Sequence, residues 1–147
     1  MSIKRSVILR GCPEQNEYGT ASAQVKPGYL VKGINTIAHQ DASGKVPRAL
    51  ALERDELGAG IDNSLQGSGT GSAYYASGDK VKVGVFDSGD EATVFVASGA
   101  GTINEDTLLS SAGDGTFKAD TAANAIARSM ENKGVVTVGS SLRVQFI

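Results

Sequence analysis

Two side chains of this 147-residue sequence could act in nucleophilic or acid–base chemistry, His39 and Cys12, and each residue type occurs once. A serine or cysteine hydrolase needs a base beside its nucleophile, so His39 would have to serve. The sequence has no G-x-S-x-G nucleophile elbow. Cys12 lies in a polar glycine-proline context, without a helix start or neighbouring bases that would activate its thiol. We interpret His39 as a surface or interface residue, and a small enzyme that pairs it with a carboxylate stays an alternative.

Carboxylates could instead bind a metal ion, and two clusters are candidates: Asp87, Asp90 and Glu91, and Glu105, Asp106 and Asp114. A third acidic group, Glu53, Asp55 and Glu56, is interleaved with Arg54, and we interpret it as a solvated strand end. Calcium prefers such oxygen ligands, but no cluster has the D-x-D-x-D-G spacing of an EF-hand. Asp in a Ser-Gly-Asp turn commonly bonds its own backbone, and one His with one Cys cannot complete a tetrahedral zinc site. We predict neither a metal nor another cofactor.

Residues 58–72 are rich in Gly and Ser and end in GSGTGS. A phosphate-binding loop would need a Lys-Ser/Thr after the glycines, or a G-x-G-x-x-G run between a strand and a helix. Here Gly67, Gly69 and Gly71 recur at every second residue, and Tyr74-Tyr75 follows. The segment therefore favours a flexible loop over a nucleotide site.

The overall composition limits the classes of partner. With 14 basic and 16 acidic residues the formal charge is −2, so we expect no nucleic acid or anionic membrane as partner. A single cysteine forms no intramolecular disulfide. The sequence shows neither a signal peptide nor an apolar run of about 20 residues. We expect one domain-sized protein made in the cytoplasm, without a membrane association.

Short alternating apolar runs separated by Gly-Asp and Ser-Gly turns predict a mainly β fold, a small β-barrel or sandwich of short antiparallel strands. We predict an extended N-terminal arm over residues 1–24 and a β domain over 25–147, with the loop at 58–72. The predicted strands are 29–31, 35–39, 47–53, 80–86, 92–97, 108–111, 116–119, the second half of 122–131, 135–138 and 142–147.

Two predicted hairpins give the β domain its local organisation. The turn at 87–90 is expected to fold 92–97 back onto 80–86, and the turn at 112–115 to join 108–111 with 116–119, glycine supplying positive φ. The alternation at 142–147 predicts that this terminal strand is held in a sheet.

Several of these segments recur in one order: LALE at 50–53, YASGDKVKVG at 75–84, GDE at 89–91 and LLSSAGDGT at 108–116. Over residues 47–147 this order resembles the head decoration, or cement, proteins of tailed bacteriophages. The resemblance implies a small, mostly β, often trimeric protein that binds the outside of the mature capsid and reinforces contacts between major capsid proteins. The GSGTGS segment and the long N-terminal segment depart from it, so capsid-contacting residues are not carried over individually.

From these features we predict a non-enzymatic virion protein of the capsid surface, a homotrimer whose partner is the major capsid protein. The basic and apolar start of the arm could add a strand to a neighbour's sheet edge. The predicted partner-binding residues are Lys4, Arg5, Val7, Ile8, Leu9 and Arg10. A receptor- or glycan-binding module on a virion or tail surface is the alternative, for which Tyr74 and Tyr75 offer a local aromatic pair.

Overall fold

The computed structural model describes residues 4–5, 7–53, 61–62, 74–137 and 139–147, and every regular element within them is a β-strand. The first eight strands are β1 (Lys4–Arg5), β2 (Ile8–Arg10), β3 (Glu14–Ala21), β4 (Val31–Lys32), β5 (Thr36–His39), β6 (Ser43–Gly44), β7 (Ala49–Ala51) and β8 (Ile61–Asp62). The other eight are β9 (Lys80–Val85), β10 (Glu91–Val96), β11 (Gly101–Ile103), β12 (Leu108–Ala112), β13 (Phe117–Ala119), β14 (Ala127–Ser129), β15 (Gly134–Val136) and β16 (Ser140–Phe146). The predicted mainly β class is confirmed, and the described residues contain no helix long and apolar enough to cross a membrane.

Five strands close into a small β-barrel, which we call the first ring. Its strands follow the order β13, β10, β16, β14 and β12, and the β12–β13 pairing closes it. All neighbours are antiparallel except β10 and β13, which meet in parallel at Val96 and Phe117. The longest pairing in this ring joins β10 to β16 and extends from Glu91 to Val96 of β10. The interior is filled by large apolar side chains such as Phe117, Leu142 and Phe146, which form the main core.

A second set of five strands lies in the order β4, β5, β3, β9 and β7. The bridge between Leu30 and Leu50 joins β7 back to the residue before β4, so this sheet also curls into a ring, which we call the second ring. Its inward side chains make a separate apolar cluster that includes Val31, Ile37 and Val81. The second ring therefore contributes to two cores, because Leu50 of β7 belongs to the main core while its neighbour Ala51 belongs to the separate cluster.

The turn at 87–90 does not form the predicted hairpin. The strand β9 pairs with β3 and β7, whereas β10 pairs with β16 and β2, so this turn carries the chain from the second ring to the first. Bonds on both sides fix the crossing, because Gly89 N–H donates to Phe146 O at 2.8 Å and Phe146 N–H donates to Asp90 O at 2.9 Å. The turn signal was right and the strand partner was wrong.

The second predicted hairpin is confirmed. Strands β12 and β13 pair in antiparallel register, with Leu109 opposite Ala119 and Ser111 opposite Phe117. In its turn Gly113 and Gly115 have φ of 94° and 89°, where glycine is strongly favoured. The C-terminal strand β16 lies between β10 and β14, as the prediction of a sheet-bound strand requires.

The N-terminal segment contributes to both rings. Strand β2 pairs with β10 at the edge of the first ring's sheet, and β3 is the central strand of the second. Strand β1 pairs with β8, Lys4 opposite Asp62 and Arg5 opposite Ile61. The predicted loop at 58–72 lies outside the described residues, apart from Ile61–Asp62.

Candidate functional site

The only histidine, His39, is half-buried where the two rings meet. Its ring stacks on Tyr29 with centroids 4.8 Å apart, and its Nε2 accepts the main-chain N–H of Lys26 at 3.0 Å. Burial, and then the charge of Lys26, lower the pKa of His39 from 6.5 to about 4, while Asp114 acts in the opposite direction. At neutral pH the imidazole is uncharged and its accepting nitrogen is occupied by a backbone donor. This arrangement suits a structural histidine better than a catalytic base.

The carboxylates predicted to form turns are engaged in local hydrogen bonds. Asp90 Oδ2 accepts the N–H of Asp87 at 3.0 Å, and the Glu91 carboxylate lies 3.5 Å from the Arg10 guanidinium. Asp114 accepts both the N–H and the hydroxyl of Thr116. In the described part of the chain, no three His, Cys, Asp or Glu side chains gather as metal ligands would. Cys12 is exposed and belongs to no such group.

Tyr74 and Tyr75 do not form the exposed pair that a glycan site would use. Both side chains are buried, and the Tyr75 hydroxyl donates to the carbonyl of Leu52 at 2.8 Å. Lys26 Nζ lies 5.6 Å from the centre of the Tyr74 ring. Each phenylalanine is also buried, so the aromatic side chains placed in the structure offer no exposed stacking platform for a sugar.

The six predicted partner-binding residues fall into three environments. Val7 is fully buried in the main core, and Ile8 is half-buried against it. Leu9 and Arg10 are both exposed, with 41% of Leu9 accessible. The backbones of Lys4 and Arg5 lie in β1. The segment thus has buried anchors followed directly by exposed residues.

An apolar groove of about 150 Å³ opens at one end of the second ring, and sequence reasoning did not identify it. Its lining has no charged or polar side chain and consists of Gly19, Gly33, Ile34, Ile37, Ala49, Val83 and Val85. Ile34 at its rim is 76% exposed. The available signal was weak, since a single isoleucine between Gly33 and Asn35 interrupts an otherwise polar turn.

A larger groove of about 670 Å³ lies beside the crossing between the rings. Lys45, Arg48 and Asp87 line it together with apolar residues such as Phe86 and Ile147. Arg48 Nη1 donates to the main-chain oxygen of Ile147 at 2.6 Å, which ties the end of β16 to the segment before β7. No serine, cysteine or histidine is among the residues that line this groove.

Comparison with known proteins shows a similarity in fold. No protein-family model matches the sequence, and no curated protein matches it. The structure is similar to the crystal structure of the N base of head fiber gp8.5 in bacteriophage phi29, with a TM-score of 0.57 and 16% sequence identity. The match covers 100% of this chain and 95% of that chain. The arrangement of two β rings is therefore similar to that of a phage head fiber base along the whole of this chain.

Proposed function

We propose that this protein is a non-enzymatic structural component of a phage virion, which binds the outside of a tailed-phage capsid and stabilises contacts between major capsid proteins. The observation that carries the proposal is the fold likeness to a head fiber base over the full chain. Two further features support it: His39 accepts a hydrogen bond from the backbone N–H of Lys26, and the Asp90 carboxylate accepts one from the backbone of its own turn.

The exposed part of β2 is our candidate for the capsid contact. Val7 and Ile8 anchor the strand in the core, and the next two side chains, Leu9 and Arg10, are exposed. An exposed strand edge with an apolar and a basic side chain can pair with an extended segment of another protein. In this proposal Leu9 and Arg10 contact the shell protein, and Lys4 and Arg5 belong to the same predicted binding segment.

We further propose that the protein acts as a homotrimer. A single contact through a short strand would be weak, whereas three such contacts on one particle raise the effective affinity through multivalency. The mass of the purified protein in solution, measured by light scattering across a range of concentrations, tests this part directly. A monomer at every concentration would contradict it.

The capsid proposal is tested with expanded capsids that lack the protein. Purified protein should co-sediment with them and raise their resistance to heat and osmotic shock. The double variant Leu9→Asp with Arg10→Glu should bind at least about tenfold more weakly, since it places two negative charges on the proposed contact. The matched control is Lys80→Glu, an exposed charge reversal on β9. Failure of the unaltered protein to bind would refute the function, and normal binding by the double variant would refute only this surface.

A further inference from the structure

The two rings are joined by a short segment around Leu30. The N–H of Leu30 donates to the carbonyl of Gly115 at 2.7 Å, which connects it to the β12–β13 turn of the first ring. The carbonyl of Leu30 accepts the N–H of Gln40 at 2.8 Å, which connects it to the residue after β5 in the second ring. We call residues 26–30 the joining segment, and we call this segment, His39 and the 113–116 turn together the junction. Its main-chain bonds therefore link the two rings.

His39 contacts both sides of this junction, through Lys26 and Tyr29 and through Gly115. Its Nε2 accepts the N–H of Lys26, and its ring stacks on Tyr29, which itself packs on Phe95 of β10 with centroids 5.3 Å apart. From the other side, Gly115 lies so close that a Cβ there would be 3.2 Å from His39 Cβ and Cγ. The half-buried imidazole thus lies between residues 26–30 and the turn of the first ring.

Two charges around the imidazole act in opposite directions: Lys26 opposes a proton on it and Asp114 favours one. Lys26 Nζ is held 5.4 Å from the centre of the Tyr29 ring, on the joining segment. Asp114 in the β12–β13 turn is the one carboxylate that favours the imidazolium, and it already accepts the N–H of Thr116 at 3.0 Å. In the pairing of β4 with β5, His39 lies opposite Val31. The next residue of β4, Lys32, forms an ion pair with Asp41 at 2.5 Å. A proton on Nε2 would remove the acceptor of the Lys26 N–H and add a second positive charge beside Lys26.

We propose that His39 is an acid-sensitive latch between the two rings: the neutral imidazole holds the joining segment in place, and its protonation releases that segment. The direction follows from linkage. The pKa is about 4 in the closed junction and 6.5 in an exposed imidazole, so the open form binds more protons between these values. The closed form is fully favoured above pH 6.5 and loses that advantage as the pH falls toward 4. This inference does not depend on the proposed function.

Amide hydrogen exchange measured by NMR on the whole protein tests the latch. After correction for the intrinsic exchange rate, protection of the Lys26 and Leu30 amides should fall about tenfold per pH unit between about pH 6 and about pH 4. The amide of Val94, in the β10–β16 pairing, serves as the internal reference and should not show this dependence. In His39→Gln the side-chain oxygen can still accept the Lys26 N–H but does not titrate, so the dependence should disappear.

Two further measurements keep the test decisive if His39→Gln folds poorly. The ring signals of His39 in the unaltered protein should titrate near pH 4, and a midpoint near 6.5 would overturn the latch. Asp114→Asn removes the carboxylate that favours the imidazolium. The His39 ring signals of this variant should therefore still titrate, but at a lower pH than in the unaltered protein. A flat pH profile at Lys26 and Leu30, or the same slope in His39→Gln, would also overturn the proposal.

Discussion

The main-chain N–H of Thr93 donates to the carbonyl of Val7 at 2.8 Å, and the N–H of Val7 donates to Glu53 Oε2 at 3.1 Å. The backbone of Val7 is therefore bonded to β10 through its carbonyl and, through its N–H, to the side chain of Glu53, which follows β7. Its side chain is completely buried, while that of Leu9, two residues later, is exposed. A segment with an irregular sequence pattern is thus fixed to the fold through Val7, in addition to the pairing of β2 with β10.

Substitutions at these two positions should have different consequences. Val7→Ala removes two buried methyl groups and should lower the free energy of unfolding by about 1–3 kcal/mol. Leu9→Ala should change it by less than about 0.5 kcal/mol, because the side chain already meets solvent. Urea denaturation of both variants measures the difference. Equal losses of stability would contradict the assignment of Val7 as the anchor.

Gly115 should be far less replaceable than Gly89, although both have positive φ. Gly115→Ala would place a Cβ 3.0 Å from Tyr29 Cδ2, whereas nothing lies within 4 Å of the same position at Gly89. The φ values of 89° and 96° cost both variants about 1–2 kcal/mol. Thermal unfolding should show a clearly larger loss for Gly115→Ala. If Gly89→Ala were equally destabilised, backbone strain alone would explain both.

Local patterns predicted the strands well where one face is buried. The alternation in 80–86 and 142–147 corresponds to β9 and β16, and the Ala-Gly-Asp-Gly turn correctly predicted the β12–β13 hairpin. The pairing of β10 could not be predicted in this way. From Ala92 to Val96 its side chains are buried on both faces, so the strand needs neighbours that a single hairpin does not provide. Only the complete set of strands determines which ones lie beside it.

The junction and the groove were hidden for a related reason. His39 looks like a surface residue in its own sequence, and its burial depends on Tyr29 and on Gly115, which is distant along the chain. The groove beside Ile34 could not be predicted either, because a single apolar residue in a turn does not indicate that a groove lies next to it. Contacts between sequence-distant segments create both features.

The aromatic cluster of the main core offers a test of packing within and between the two cores. Phe86 and Phe146 lie with ring centroids 5.0 Å apart, so a double-mutant cycle with Phe→Leu at both should give a coupling of about 0.5–1.5 kcal/mol. Val25 belongs to the separate cluster of the second ring. A cycle between Phe146→Leu and Val25→Ala should therefore be additive within about 0.5 kcal/mol. Strong coupling in that second cycle would mean that the two cores respond as one.

The turn at 87–90 allows a direct test of whether its acidic residues bind calcium or hold the crossing between the rings. Because Asp90 Oδ2 accepts the Asp87 N–H, Asp90→Ala should lower stability by about 0.5–1.5 kcal/mol, and Asp90→Asn, which keeps an acceptor oxygen, should lose less. Millimolar calcium should leave the melting temperature of the unaltered protein unchanged. A ligand that bound only the folded protein would raise it, by a larger amount at higher calcium concentration. A calcium-dependent rise that Asp90→Asn abolished would assign these carboxylates to a metal instead of to the turn.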